Sequence, residues 1–208
     1  SPHQQRVITI ATTPAMGALL MPGLASALKP TFPQILLHNI AIVDAARQLD
    51  QRQVDLLIDT HLHSGQAISH HVLYQDRVQM YCRAGHPALD GPQDETTLAE
   101  YEFALLLPEG QRYPTLHRRL QEEMGERRCG FSTFNLMTQA AMIAGSDMLG
   151  LTTERLFAMV SRLWPLQTLD FPSLGEEQID VALHFNKLSG KEPLLKEIIE
   201  TVIRSFKA

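Results

Sequence analysis

"VITIATTPAMGALLMPGL", residues 7–24, decides the architecture. Val7, Ile8 and Ile10 are β-branched and crowd into a run that stops at Thr12, Thr13 and Pro14. That run predicts a strand over Arg6–Ala11. Thr13 suits a helix N-cap, and Pro14 suits the first helical position, where a missing N–H has no partner to lose. The helix is expected to reach about Lys29, bent or interrupted at Pro22. A buried strand that ends on hydroxyls, just before a helix N-terminus, raises the expectation of a ligand wall.

Working outward, Pro30 and Pro33 force a turn, and Gln34–His38 reads as a second strand. Ile42–Gln51 fits a helix with Val43, Ala46 and Leu49 on one side, and "VDLLID", Val54–Asp59, a third strand. This β-α-β-α-β order with short loops predicts a parallel sheet with helices on its faces. The loop "THLHSG", Thr60–Gly65, breaks the rhythm, and two extended runs follow, Ala67–Leu73 and Arg77–Arg83. The alternation resumes near residue 100. Strands are expected over Phe103–Leu107, Cys129–Ser132 and Met148–Leu151, and helices over Pro114–Met124, Asn135–Ala144 and Thr153–Leu163. "LQTLDF" and "EQIDVALHF" read as strands, and Leu194–Phe206 as a closing amphipathic helix. The expected fold class is α/β: two Rossmann-like lobes joined by two crossover strands. Residues 1–76 would form the first part of lobe I, 77–167 lobe II, and 168–208 the return. Two lobes on two crossovers make a hinged clamp around a cleft.

Composition narrows the function. A hydrophobic share of 44% suits a globular protein and excludes disorder. No apolar run reaches the roughly 18–20 residues that span a bilayer, and Ser1–Gln5 carries no signal-peptide pattern. The formal net charge is -5, and the basic pairs Arg118-Arg119 and Arg127-Arg128 are interrupted by Glu122, Glu123 and Glu126. This stretch is a poor grip for DNA, which needs phosphates neutralised. Cys82 and Cys129 lack CxxC spacing and read as buried free thiols, which favours a reducing cytoplasm.

Several strings in this order resemble the effector-binding domain of LysR-type transcriptional regulators, over nearly the whole chain. "ITIATT....LLMPGLASALKPTFPQILLH" is similar to the family's first strand, proline-containing helix, turn and second strand. "VDLLID" is similar to its third strand, "VQMYCRAGHPAL" to its crossover strand and His-Pro turn, and "AAMIAGSDMLGLTTERL" to the helix, glycine turn and strand of its second lobe. The "DLLI" variant resembles the nodulation-type and LeuO-like branch. The resemblance implies the type II periplasmic-binding-protein fold and a small-molecule effector in the cleft. It also implies a homodimer (a tetramer at full length) and DNA contact only through an N-terminal winged helix-turn-helix that this chain lacks. In such a dimer, the first helix and second strand face the second-lobe helix starting near Asn135, and Leu19, Leu20, Leu24 and Leu28 could be shared between core and interface.

Ligands of open parallel sheets bind beyond the carboxyl ends of the strands. Thr12 and Thr13 lie at such an end, and a helix N-terminus offers N–H groups and a partial positive charge. Thr13 can also simply cap its helix; the two roles can coexist. The resemblance adds Met16, Ile40 and Ala41 to this wall, Thr60 on the hinge side, and Gln111, Ser132, Thr133, Phe134 and Thr152 from the second lobe. Where the family often has a Gly-Ser/Thr pair after its second strand, this chain reads Asn39, Ile40, Ala41. Loss of that hydroxyl points away from a small, strongly anionic effector and toward a more apolar or aromatic one. Ser132 or Thr133 can instead serve as a helix cap.

Nine histidines, among them His61, His63, His70 and His71, invite a metal reading. Neighbours on a strand face opposite ways, and no Cys or acidic cluster completes a tetrahedral set, so no metal or other cofactor is expected. Histidines near the hinge could respond to pH. No G-x-S-x-G, P-loop or GxGxxG is present, and no enzyme is expected. The expectation is therefore a cytoplasmic sensing and dimerisation domain without membrane contact. The rival is a periplasmic solute-binding protein of a transporter with the same fold and cleft, and a third option is an enzyme on this fold.

Overall fold

The computed structural model describes residues 5–107, 129–170 and 178–207. In chain order the elements begin with β1 (Arg6–Thr12), α1 (Pro14–Leu28), β2 (Ile35–Ala41), α2 (Ala45–Asp50), β3 (Leu56–Asp59) and β4 (Ile68–Arg83). A 3-10 turn at Pro87–Asp90 leads to α3 (Glu95–Leu98), β5 (Phe103–Leu106), β6 (Cys129–Thr133), α4 (Leu136–Ala144) and β7 (Gly150–Thr153). Then follow α5 (Glu154–Val160), β8 (Leu166–Leu169), β9 (Gln178–Asn186) and α6 (Pro193–Ser205). The chain divides into two compact units, Ser1–Gln75 with Asp180–Ala208, and Asp76–Ile179. Strands β4 and β9 carry the chain from one to the other.

In the first unit the strand order is β2-β1-β3-β9-β4. β1 runs parallel to β2, with Thr12 opposite Ala41, and parallel to β3, with Ile10 opposite Leu56. β3 and β9 are antiparallel, Leu57 facing His184. Alternation along β1 puts Ile8 and Ile10 on one face and Ala11 on the other, and all three are fully buried. Ala11 joins Ala45, Leu49, Val54, Leu57 and Ile68 in one core cluster. Burial on both faces is what a sheet built from βαβ crossovers requires. Helices α1 and α6 pack together in this unit, α6 through Leu195, Ile198, Ile199 and Val202.

Pro22 lies inside α1 without ending it. The hydrogen bond it forfeits would have gone to the carbonyl of Ala18, which is exposed, and Leu20, Leu24 and Leu28 hold the helix to the core. These three leucines are buried within the unit, and Leu19 is half-buried. Helix α2 is shorter than the Ile42–Gln51 run suggested, because the Asp44 carboxylate caps it by accepting from the Arg47 N–H at 3.1 Å. Val43 is left 79% exposed.

In the second unit, β4 pairs antiparallel with β7, Val78 opposite Thr153, and with β8, Tyr81 opposite Thr168. β5 and β6 are parallel, Leu106 opposite Thr133, and a parallel bridge joins Phe103 to Leu149. Val78, Met80, Cys82, Leu98, Phe103, Leu149 and Leu169 belong to its core. The two runs Ala67–Leu73 and Arg77–Arg83 form one strand of 16 residues. Because β8 pairs with β4 beyond Gln75, it belongs to the second unit, and the return falls at Asp180 rather than residue 168. Cys82 is buried as expected, whereas Cys129, at the start of β6, is exposed. The expected helix Pro114–Met124 lies outside the described residues.

Candidate functional site

The first unit's parallel strands end together. Thr12 closes β1 directly opposite Ala41 of β2, and β3 closes at Asp59, followed by Thr60. Thr12, Thr13, Ile40, Ala41 and Thr60 therefore gather at the C-terminal ends of the unit's sheet, and α1 starts among them. Thr13 holds extended backbone at φ -69°, and its Oγ1 accepts from the Met16 N–H at 3.3 Å. Its carbonyl accepts from the Gly17 N–H at 3.0 Å. Pro14 has no N–H, so the first turn presents the Ala15 N–H, which has no helical partner by position, and the Thr13 hydroxyl proton. Thr13 thus caps its helix and still has a proton to donate.

Thr12 differs. It is 1% exposed, donates to the Thr13 carbonyl at 2.8 Å and accepts from Asn39 Nδ2 at 3.0 Å. Asn39 also donates to the Ile10 carbonyl at 2.9 Å. The Thr12 hydroxyl is committed to the fold, and Asn39 is the residue that commits it. A polar residue inside "ILLHNIA" was the available sequence signal for Asn39. The packing is close: a Cβ on Gly17 would sit 2.5 Å from Asn39 Oδ1 and 2.9 Å from Thr12 Oγ1. Glycine is required there to bring α1 against the strand ends. Met16 is buried beneath the same turn.

The second unit repeats the pattern. The parallel relations of β5, β6 and β7 put Leu106, Thr133 and Thr152 at corresponding strand ends. Thr133 accepts from the Leu107 N–H through its carbonyl at 2.8 Å and from the Asn135 N–H through Oγ1 at 3.2 Å. Asn135, rather than Ser132 or Thr133, caps α4, accepting from the Met137 N–H at 2.8 Å. Ser132 is exposed, and Phe134 is 57% exposed although it is a large apolar ring. Thr152 is 6% exposed, and its Oγ1 is buried with no hydrogen-bond partner among the described residues. Gln111 lies outside the described residues.

A buried amide braces the strand that carries Thr152. Gln139 of α4 donates through Nε2 to the Ala104 carbonyl at 2.9 Å and the Leu151 carbonyl at 3.5 Å. Its Oε1 accepts from the Tyr81 hydroxyl at 2.8 Å. Burial pushes the Tyr81 phenol far above its ordinary value, so it stays a neutral donor. Among the described residues no group of three or more His, Cys, Asp or Glu side chains is placed to hold a metal ion. No described helix is long and apolar enough to cross a membrane.

Comparison with known proteins bears on the family and the fold. The LysR substrate binding domain family matches residues 2–207. The uncharacterised HTH-type transcriptional regulator YbeF of Escherichia coli K12 is 43% identical over 203 residues, covering 98% of this chain. The chain spans 64% of that relative's length. The regulatory domain of CrgA, a LysR-type transcriptional regulator from Neisseria meningitidis, superposes with a TM-score of 0.76 at 13% identity, covering 97% of this chain and 99% of that one. The regulatory domain of MexT, a transcriptional activator in Pseudomonas aeruginosa, gives 0.77 at 11% identity, covering 98% and 99%. The two solved structures share the fold. The chain belongs to the LysR substrate-binding domain family and has the α/β fold of LysR regulatory domains. It is an effector-binding regulatory domain, and the relatives named here are regulators rather than transporter components.

Proposed function

We propose that this chain senses a small molecule through the strand ends described above: Thr13, Met16, Ile40, Ala41 and Thr60 in the first unit, and Ser132, Thr133, Phe134 and Thr152 in the second. Thr12 holds that wall in shape, and Gln111 belongs to the same proposed set. The observation that carries the reading is the Thr152 hydroxyl, buried and unpartnered among the described residues. A buried polar group without a partner costs stability, and a ligand acceptor would remove that cost. Phe134 supplies an exposed ring, and Ile40 and Ala41 supply apolar surface. The effector class these favour has an apolar or aromatic body and a hydrogen-bonding head.

Binding acts by selecting one arrangement of the domain over another. Its reach is limited by the effector's differential affinity for the two. In a cytoplasmic regulator built like the helix-turn-helix relative, that preference would pass through a homodimer to an N-terminal DNA-binding segment. Leu36 of β2 and Met137 and Met142 of α4 are exposed apolar residues suited to self-association. A thermal-shift screen of a metabolite library tests the sensing role. Some metabolite should raise the melting temperature of the wild-type chain, with a smaller rise for Thr13→Val. Stabilising metabolites that act equally on both chains would place the site elsewhere.

A further inference from the structure

The loop "THLHSG", residues 60–65, has no regular structure, yet hydrogen bonds to Asp59 and His184 fix it. The Asp59 carboxylate, 1% exposed, accepts from the Thr60 N–H at 2.8 Å and meets His63 Nε2 at 2.8 Å. The His63 N–H donates to Nε2 of His184 at 3.0 Å. The other ring nitrogen of His184, Nδ1, faces the Leu57 carbonyl at 3.3 Å. Only one form of the His184 ring satisfies both neighbours: neutral, with its proton on Nδ1.

The surroundings enforce that form. His184 is fully buried, and it lies opposite Leu57 in the β3–β9 ladder. Burial first, and then the nearby His63, push its pKa down to about 4. The titratable groups facing it are Asp59 from β3, His63 from the loop and His70 from β4. The His63 ring lies 5.1 Å from that of His184 and the His70 ring 6.0 Å, while His61 packs edge-on against His63 at 4.8 Å.

We propose that Asp59, His63 and His184 form a proton-operated latch on residues 60–65: it holds Thr60 in place while His184 is neutral and releases the loop when Nε2 takes a proton. A proton on Nε2 would point at the His63 N–H, setting two donors against each other and removing the bond. Positive charge on His63 or His70 would oppose that on His184, and the Asp59 carboxylate offsets only part of this. In the open loop His184 regains its ordinary affinity for protons, so acid favours opening. The value of the latch to ligand sensing rests on the proposed place of Thr60 in the effector wall. The latch itself does not.

Hydrogen exchange of the His63 amide, read by NMR as a protection factor, tests it without any ligand. Failure would therefore leave the reading of the effector site standing. In the wild-type chain, protection should fall on the order of fiftyfold between about pH 7.5 and about pH 4.5, the difference expected when the closed loop binds the proton far more weakly than the open one. In His184→Gln, which keeps an acceptor near the place of Nε2 but cannot titrate, protection should stay flat over that range. Unchanged protection in the wild type would overturn the latch, and so would an equally steep loss in the glutamine variant. If that variant does not fold, ring-nitrogen shifts of wild-type His184 decide: protonation on Nδ1 at neutral pH is expected, and protonation on Nε2 overturns the proposal.

Discussion

Replacing Thr152 by valine exchanges a buried, unpartnered hydroxyl for a methyl group of nearly the same volume. The backbone pairing of Thr152 with Gln79 is untouched. Leaving a buried hydroxyl unpaired costs about 1–3 kcal/mol, so the variant should gain about that much stability. In a chain of this size each kcal/mol is worth about 2–4 °C, which puts the expected rise in melting temperature at about 2–12 °C. Ligand binding should move the other way. A lost hydrogen bond to a ligand costs about 1–1.5 kcal/mol, roughly a tenfold weaker Kd. The variant is therefore expected to be more stable and less responsive, a trade common at sites shaped for function. Differential scanning calorimetry of both chains without ligand reads the first effect, and titration with a metabolite found by thermal shift reads the second. A Thr152→Val chain that melts lower than wild type would mean the hydroxyl has a partner in the fold, and the reasoning would fail at its first step.

Other consequences follow from the same contacts. Gln139→Leu should cost about 2–5 kcal/mol in urea unfolding, because it orphans the Tyr81 hydroxyl and the Ala104 carbonyl; adding Tyr81→Phe should recover part of that loss. Gly17→Ala should destabilise by about 1–3 kcal/mol despite the better helix propensity of alanine, since its Cβ meets both Asn39 and Thr12, and Asn39→Ala in the same chain should relieve part of the clash. His184 binds its proton more weakly folded than unfolded, so stability should be full above about pH 6.5 and decline as pH falls toward 4, by up to about 3 kcal/mol. His184→Gln should remove that part of the acid sensitivity, measured as the melting temperature against pH.

Local patterns made much of this fold legible. The β-branched run before Thr13 and Pro14 carried both a strand and the cap that starts α1, and apolar spacing carried α6. "VDLLID" read as a strand because a short apolar run needs burial on both faces. The length of β4 was hidden, since its middle, "SHHVLYQDR", mixes polar and apolar residues and its pairing partners lie far away in the chain. The return point was misplaced for the same reason: β8 looks like a crossover by composition, but its register with β4 keeps it in the second unit. Thr13 announced itself as a cap. Asn39 showed only as an odd residue in a strand, and its bond to Thr12 depends on the register of β1 with β2. The pairing of His63 with His184 spans 121 positions, so no local pattern could reveal it. Cys129 reads as buried by residue type, yet its place at the start of β6 leaves it exposed.

Amide chemical-shift mapping of the isotopically labelled chain, titrated with a stabilising metabolite, asks most directly whether the strand ends are the sensor. The predicted perturbations cluster at Thr13, Ala15, Ile40, Ala41 and Thr60 in one unit, and at Ser132, Thr133, Phe134 and Thr152 in the other. Saturable perturbations confined to other surfaces, such as α6, with both sets of strand ends silent, would contradict the account.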